Sequence, residues 1–187
     1  MLIGVVSDIH CQHAALESAI SAMSPVDALI CLGDVVDQTR FCNRTVAMLR
    51  DAGAMTILGN HDEGFLAGLG RLSGSVAPDH ASWLASRPVR IEFEQDGHSL
   101  LAVHSTPWKS GHAYISPADP QLARFAEGGH DVVLYGHTHQ PLIRQIGTAL
   151  VVNPGSVGEG RPTSTGFKRS CALIDLAAGS ARIIDLD

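Results

Sequence analysis

The chain has 187 residues, 45% of them hydrophobic and 17% charged, with a formal charge of −6. That length suffices for one core-burying domain over residues 1–187, and the composition excludes a disordered polar tail. The acidic balance disfavours a broad nucleic-acid groove, which needs a basic stripe.

In chain order, Leu2 to Val6 is a β-branched run read as a buried strand, followed by "SDIH". Ala15, Leu16, Ala19, Ile20 and Met23 recur at helical spacing, and Pro25 closes that helix. Ala28 to Leu32 forms a second strand, ending in "GDVVD". A helix from about Asn43 to Asp51 stops near Gly53 as a C-cap. A third strand over Ala54 to Leu58 then delivers "GNHD". This β-α-β-α-β alternation points to an α/β layer with parallel pairing at its start. After a helix through "DHASWLASR", Val89 to Phe93 and Ser99 to Val103 flank the hairpin signal Asp96-Gly97. The stretch "PADPQLARFAEG" reads as a helix, and Val132 to Tyr135 as a strand that leads into "GHTH". Strands around Leu142 to Ile146, Ala149 to Val152, Ala172 to Ile174 and Ala181 to Ile184 close the chain. The most biased stretch, "GSVGEGRPTSTG", is too short for a domain linker, and no fixed-period repeat occurs.

The four cysteines show no CxxC spacing and read as reduced thiols. The opening "MLIGVVSDIH" lacks the basic start and long apolar stretch of a signal peptide. No apolar run approaches the roughly 20 residues that span a bilayer. A cytoplasmic protein without a membrane partner is the expectation; the oligomeric state is left open.

Histidine is unusually frequent, with ten in the chain, and its placement is informative. Five polar clusters each follow an inferred strand: Asp8/His10, Asp34/Asp37, Asn60/His61/Asp62, His104 and His137/His139. In open α/β sheets ligands bind beyond the carboxyl ends of strands, so the five clusters are expected to converge. The donor set is carboxylate, imidazole and one carboxamide, with no thiolate. It suits Mn, Fe, Ni, Co or Zn and disfavours a closed structural zinc site. On extended backbone, D-x-H and H-x-H place both members on one side. The number of ligands exceeds what one ion requires, and two ions about 3.5–4 Å apart, sharing a carboxylate, use them all.

The order "DIH … GDVVD … GNHD … H … GHTH", trailed by "NPGSVG", resembles the calcineurin-like metallophosphoesterase superfamily, in its small single-domain bacterial phosphodiesterase branch. The resemblance spans residues 3 to 158. It implies a four-layer α-β-β-α sandwich with two mixed sheets and the site at strand C-terminal ends. It also implies two divalent metals, with Mn favoured. Asp8, His10, Asp34 and His139 hold one; Asp34, Asn60, His104 and His137 hold the other. A metal-bridging hydroxide is then the nucleophile towards a small phosphoester, most simply a phosphodiester. His61 stays off the metals as proton donor to the leaving group, steadied by Asp37. A carboxylate beside an imidazolium favours the protonated form that this role needs.

Departures from the pattern narrow the activity. Gln38 stands where phosphoprotein phosphatases carry a phosphate-gripping Arg, and Arg40 lies two residues on, which disfavours a protein phosphatase. Ser105 replaces a frequent Gly and bears on the substrate loop. A phosphomonoesterase, a dinucleoside polyphosphate hydrolase and a non-catalytic scaffold like the retromer-subunit relatives remain as alternatives. His13, His80, His98 and His130 read as loop or surface residues. His112 and Arg161 are open candidates for substrate contact. "GSVG" reads either as an anion-binding nest or as part of a tight turn, and Asp62 and Glu63 have no assigned role.

Overall fold

The computed structural model describes residues 1–69, 75–108, 112–164 and 166–186. The first half alternates as its periodicity demands. Strand β1 (Leu2–Val6) leads to α1 (His13–Met23), then β2 (Ala28–Cys31), α2 (Asn43–Asp51) and β3 (Met55–Thr56). The three strands are parallel neighbours. Helix α1 buries Ala15, Leu16, Ala19 and Met23, the stripe that the sequence spacing marks. At the end of α2, Gly53 adopts φ 61°, and the Ala54 N–H closes back on the Leu49 carbonyl at 2.9 Å. A left-handed residue is what ends a helix in this way, and glycine adopts it without a Cβ clash.

Two expectations shift here. Strand β3 is only two residues long, because the Leu58 N–H leaves the sheet for the Pro88 carbonyl at 2.8 Å. Asn60 then opens a short helix, α3 (Asn60–Gly64), where the sequence analysis placed only the cluster "GNHD" after a strand. Helix α4 (Pro78–Ala85) follows, and then the hairpin of β4 (Arg90–Gln95) and β5 (His98–Val103). Asp96 and Gly97 both take positive φ, 51° and 78°, as a two-residue hairpin turn requires.

The remaining strands are β6 (Val132–Leu134), β7 (Leu142–Ile146), β8 (Ala149–Asn153), β9 (Arg161–Thr163), β10 (Gly166–Asp175) and β11 (Ser180–Leu186). One sheet runs β11-β10-β1-β2-β3 with β9 against β10; the other runs β4-β5-β6-β8-β7. Both are mixed: β10 is antiparallel to β1, while β5, β6 and β8 are parallel between antiparallel edges. Part of the biased loop is thus the short strand β9. Strand β10 also outruns its expected span, since Gly166 to Arg169 are exposed or half-buried and lack the apolar signal of Ala172 to Ile174.

Three apolar clusters separate four layers. Val6, Val46, Leu49 and Leu84 lie between the helices and the first sheet. Ile3, Val5, Ile30 and Leu32 meet Leu100, Leu134 and Val152 between the sheets. Leu101, Val133 and Val151 pack under Leu122 and Phe125 on the outer face of the second sheet. That fourth layer is thin. The expected helix there is a 3-10 helix, Pro120–Ala126, with Asp119 accepting from the Gln121 N–H at 2.8 Å. No helix among the described residues is long and apolar enough to cross a membrane.

Candidate metal centre

All five polar clusters emerge at the same edge, from the ends of β1, β2, β3, β5 and β6. The backbone delivers them in a way the sequence did not show. Asp8, His10, Asp34, His137 and His139 all have positive φ, between 47° and 65°. D-x-H and H-x-H therefore converge through left-handed turns and not through extended alternation. Such conformations cost on the order of 1–3 kcal/mol each and persist where surrounding structure fixes them. Here the Ile9 and His10 N–H groups both donate to the Asp34 carbonyl, at 2.8 and 3.0 Å. The His137 N–H donates to Asp8 Oδ2 at 3.1 Å. Gly136 permits this contact, since a Cβ there would collide with the Ser7 hydroxyl.

Asp8, His10 and His139 form one group of ligand atoms, and Asp34, His104 and His137 another. His10 Nε2 and His139 Nε2 face each other at 3.4 Å, with Asp8 Oδ1 3.2 Å from the latter. Asp34 turns Oδ2 to His104 Nε2 at 3.4 Å and to His10 Nε2 at 4.0 Å, so it stands between the groups. Asn60 Oδ1 lies 3.0 Å from His104 Nε2. Ring nitrogens and carboxylates converging in this way, on buried Asp8, His10, Asp34, His104 and His137, fit divalent cations. A third combination, His10, Asp34 and His61, is also close enough to share an ion.

The protonation states follow from these contacts in the metal-free protein. Burial pushes the Asp34 carboxyl up, but the His104 imidazole and the His61 N–H outweigh it and hold it at about 2. Burial pulls His104 down, yet Asp34, Asp8 and the Leu32 carbonyl carry it to about 9. His137 is driven to about 4 by burial, reinforced by the charge of His104. Its Nε2 lies 3.2 Å from the His112 carbonyl; as donor there, it leaves Nδ1 as the basic nitrogen. His10 is lowered by burial against Asp34 and Asp8. His139 resists burial and is raised by Asp8 and Glu159.

His61 sits beside this cluster, its ring edge-on to His10 at 4.7 Å. Its Nδ1 is 3.4 Å from Asp37 Oδ1 and 3.3 Å from the Gln38 N–H. The two contacts are alternatives. Protonated Nδ1 donates to Asp37, and bare Nδ1 accepts from Gln38. Arg40 completes the arrangement, donating through Nη2 to Asp37 Oδ2 and to the His10 carbonyl, each at 3.1 Å.

Several residues gain roles that the sequence left open. Asp62 is fully buried and accepts from the N–H groups of Val35, Val36 and Gly59 at 3.2, 2.9 and 3.0 Å. It ties the GDVVD loop to the first turn of α3; burial and the Asp34 charge push its carboxyl up to about 7 against those donors. Glu63 pairs with His112 at 2.8 Å. Glu159 approaches His139 Nδ1 at 3.3 Å, a carboxylate–histidine contact of the kind that orients metal ligands. No motif spacing flagged it.

The "GSVG" segment is not an anion nest. The Val157 and Gly158 N–H groups are spent on the Ser7 and Asp8 carbonyls, and the Ser156 hydroxyl also donates to Asp8. Asn153 reaches the Gly136 carbonyl at 2.8 Å, so "NPGSVG" braces the two ligand loops. Arg161 is bound to Asp185 and Ser170, away from this cluster. Ser105 donates to the Ala113 carbonyl at 2.7 Å, tying the end of β5 to the segment that carries His112. His13, His80, His98 and His130 belong to none of the ligand groups found among the described residues.

The comparisons agree with the fold. Residues 1–179 match the model of the calcineurin-like phosphoesterase superfamily domain, and the chain belongs to that family. A Methanothermobacter thermautotrophicus protein named "Probable metallophosphoesterase" is 29% identical, over 83% of this chain and 77% of its own. The crystal structure of a metallophosphoesterase from Sphaerobacter thermophilus superposes with a TM-score of 0.78 at 23% identity, covering 100% of this chain and 88% of that one. A structure described as a novel archaeal phosphodiesterase gives 0.64 at 21% identity, with full coverage of both chains.

Proposed function

We propose that the protein is a dimetal phosphodiesterase acting on a small substrate, with Mn as the favoured ion and the cytoplasm as its location. The observation that carries this reading is Asp34. One carboxylate oxygen is fixed by the His61 N–H at 2.8 Å, and the other is shared by the two imidazole groups. Asp8, His10, Asp34 and His139 would hold one ion, and Asp34, Asn60, His104 and His137 the other. Two ions so held supply Lewis-acid activation of water and offset phosphoryl charge.

The chain's own residues supply the rest. His61 is placed at the rim, 32% exposed, where its Nε2 can give a proton to the departing oxygen. Asp37 holds Nδ1 and thereby sets the ring's orientation, while Arg40 holds Asp37. No cap domain is inserted over the strand ends among the described residues, which suits a small phosphodiester.

The test is hydrolysis of bis(p-nitrophenyl) phosphate with Mn²⁺ or Ni²⁺, with and without chelator. Metal-dependent turnover abolished by the chelator is expected. No turnover across Mn, Ni, Co, Fe and Zn would sink the enzyme reading in favour of a scaffold.

A further inference from the structure

We infer that the cavity beside His104 receives the second ester substituent of the substrate, a neutral planar group of about nucleoside size. The inference rests on the phosphodiesterase reading above.

The cavity measures about 380 Å³ and its lining is mixed: Leu58, Val89, Val103, Pro107 and Trp108 on the apolar side, and on the polar side His104, Ser105 and Thr106 with the charged Glu63, Arg90 and His112. Ligand pockets run from about 300 to 1,000 Å³, so this one has room for a single ring system with its sugar and not for a strand of nucleic acid. Position ties it to the chemistry. His104 is at once a wall of the cavity and a member of the Asp34–His104–His137 group. A substituent lying there and a phosphoryl group at that cluster would thus share His104 as a neighbour.

Charge selects the class. Glu63 is paired with His112 at 2.8 Å, and Arg90 with Glu92. Among the described wall residues, His112 and Arg90 thus each already face a carboxylate. Apolar surface comes from Leu58, Val89, Val103, Pro107 and Trp108. At the neighbouring edge, Tyr114 stacks on His137 with 4.0 Å between ring centroids and stays 69% exposed. An aromatic face is therefore available beside the entrance. A neutral, flat substituent gains from both features, whereas a methyl group or a polyphosphate tail gains from neither.

Thymidine 5′-(p-nitrophenyl phosphate), methyl p-nitrophenyl phosphate and p-nitrophenyl phosphate test this with one leaving group. Each reaction breaks the same P–O bond to p-nitrophenolate and forms one to water oxygen, so differences report the second substituent. The thymidine ester should exceed the methyl ester in kcat/KM by about ten-fold or more, mainly through KM. Val89→Trp, at a 57% exposed rim position, fills the cavity and should bring that ratio down about three-fold or more. A wild-type ratio near one overturns the assignment, and so does a ratio that Val89→Trp leaves unchanged, even if both rates fall together. No turnover of any of the three sinks the phosphodiesterase reading itself; turnover without preference sinks only the cavity.

Discussion

His61 is the residue whose role turns most on its surroundings. The third ligand combination, with His10 and Asp34, gives it a route to the metals, while Asp37 and Gln38 hold it at the rim. His61→Ala should therefore lower turnover by about 10²–10⁴-fold while metal content, read by elemental analysis, stays the same. Loss of metal would instead make it a ligand. Glu159 offers a finer test. Glu159→Ala should weaken metal binding by about ten-fold or more, and Glu159→Gln, which keeps an acceptor oxygen for His139 Nδ1–H, should recover most of it. Equal affinities for both variants and wild type, by calorimetry, would remove Glu159 from this role. The protonation of His104 gives a pH dependence with a definite sign. Its pKa is raised to about 9, so in the metal-free protein its contribution to stability is full below the unfolded value of about 6.5 and is lost as pH rises through 9. A bound metal needs the neutral ring, so affinity should climb over the same interval, with proton release at pH 7. Calorimetry at pH 7 in buffers of different ionisation enthalpy checks this; no proton release would contradict it. Residue types named the candidate ligands in the sequence, but Glu159 carries no such mark, because a carboxylate four residues past an Asn-Pro-Gly turn looks like any exposed acid.

The short helix α3 carries His61, and one buried carboxylate holds its first turn. Asp62 is the sole acceptor for three backbone N–H groups drawn from two loops. Asp62→Ala should cost about 2 kcal/mol or more in denaturant unfolding and should loosen His61 relative to Asp34, lowering turnover beyond the stability loss. A stability change within about 0.5 kcal/mol, the range of ordinary surface substitutions, would refute that. The element also shows where sequence reading stops. An acid after Asn-His invites a metal role, yet its spacing from Gly59 is that of an N3 residue reaching back to an N-cap amide, and that signal was present. The 3-10 helix at Pro120–Ala126 is different. Its composition fits an α-helix, and packing of Leu122 and Phe125 on the second sheet decides its tighter winding. Strand order was legible at the start, where alternation demands parallel pairing. The antiparallel insertion of β10 beside β1 was not, since long-range pairing leaves no local trace.

The whole molecule is arranged so that strained backbone and unlike sheets meet at a single edge. The positive φ values at five candidate ligands could not be read from D-x-H or H-x-H, because both spacings also suit an extended chain. Tertiary hydrogen bonds set those turns, and most come from far along the sequence. Strand β1 lies in the middle of its sheet, with Leu2 opposite Asp175 on one side and Ile3 opposite Ala28 on the other. Ser156 and Gly158 clasp the Asp8 carbonyl from a loop late in the chain. On the ribosome, then, β1 waits for β10, which is made more than a hundred residues later, with its bare edge open to other chains in the meantime. The hydrogen bonds to the Asp8 carbonyl likewise wait for the brace around residue 156. A nascent chain thus carries Asp8, His10, Asp34, Asn60 and His104 well before the loop that clasps the Asp8 carbonyl exists.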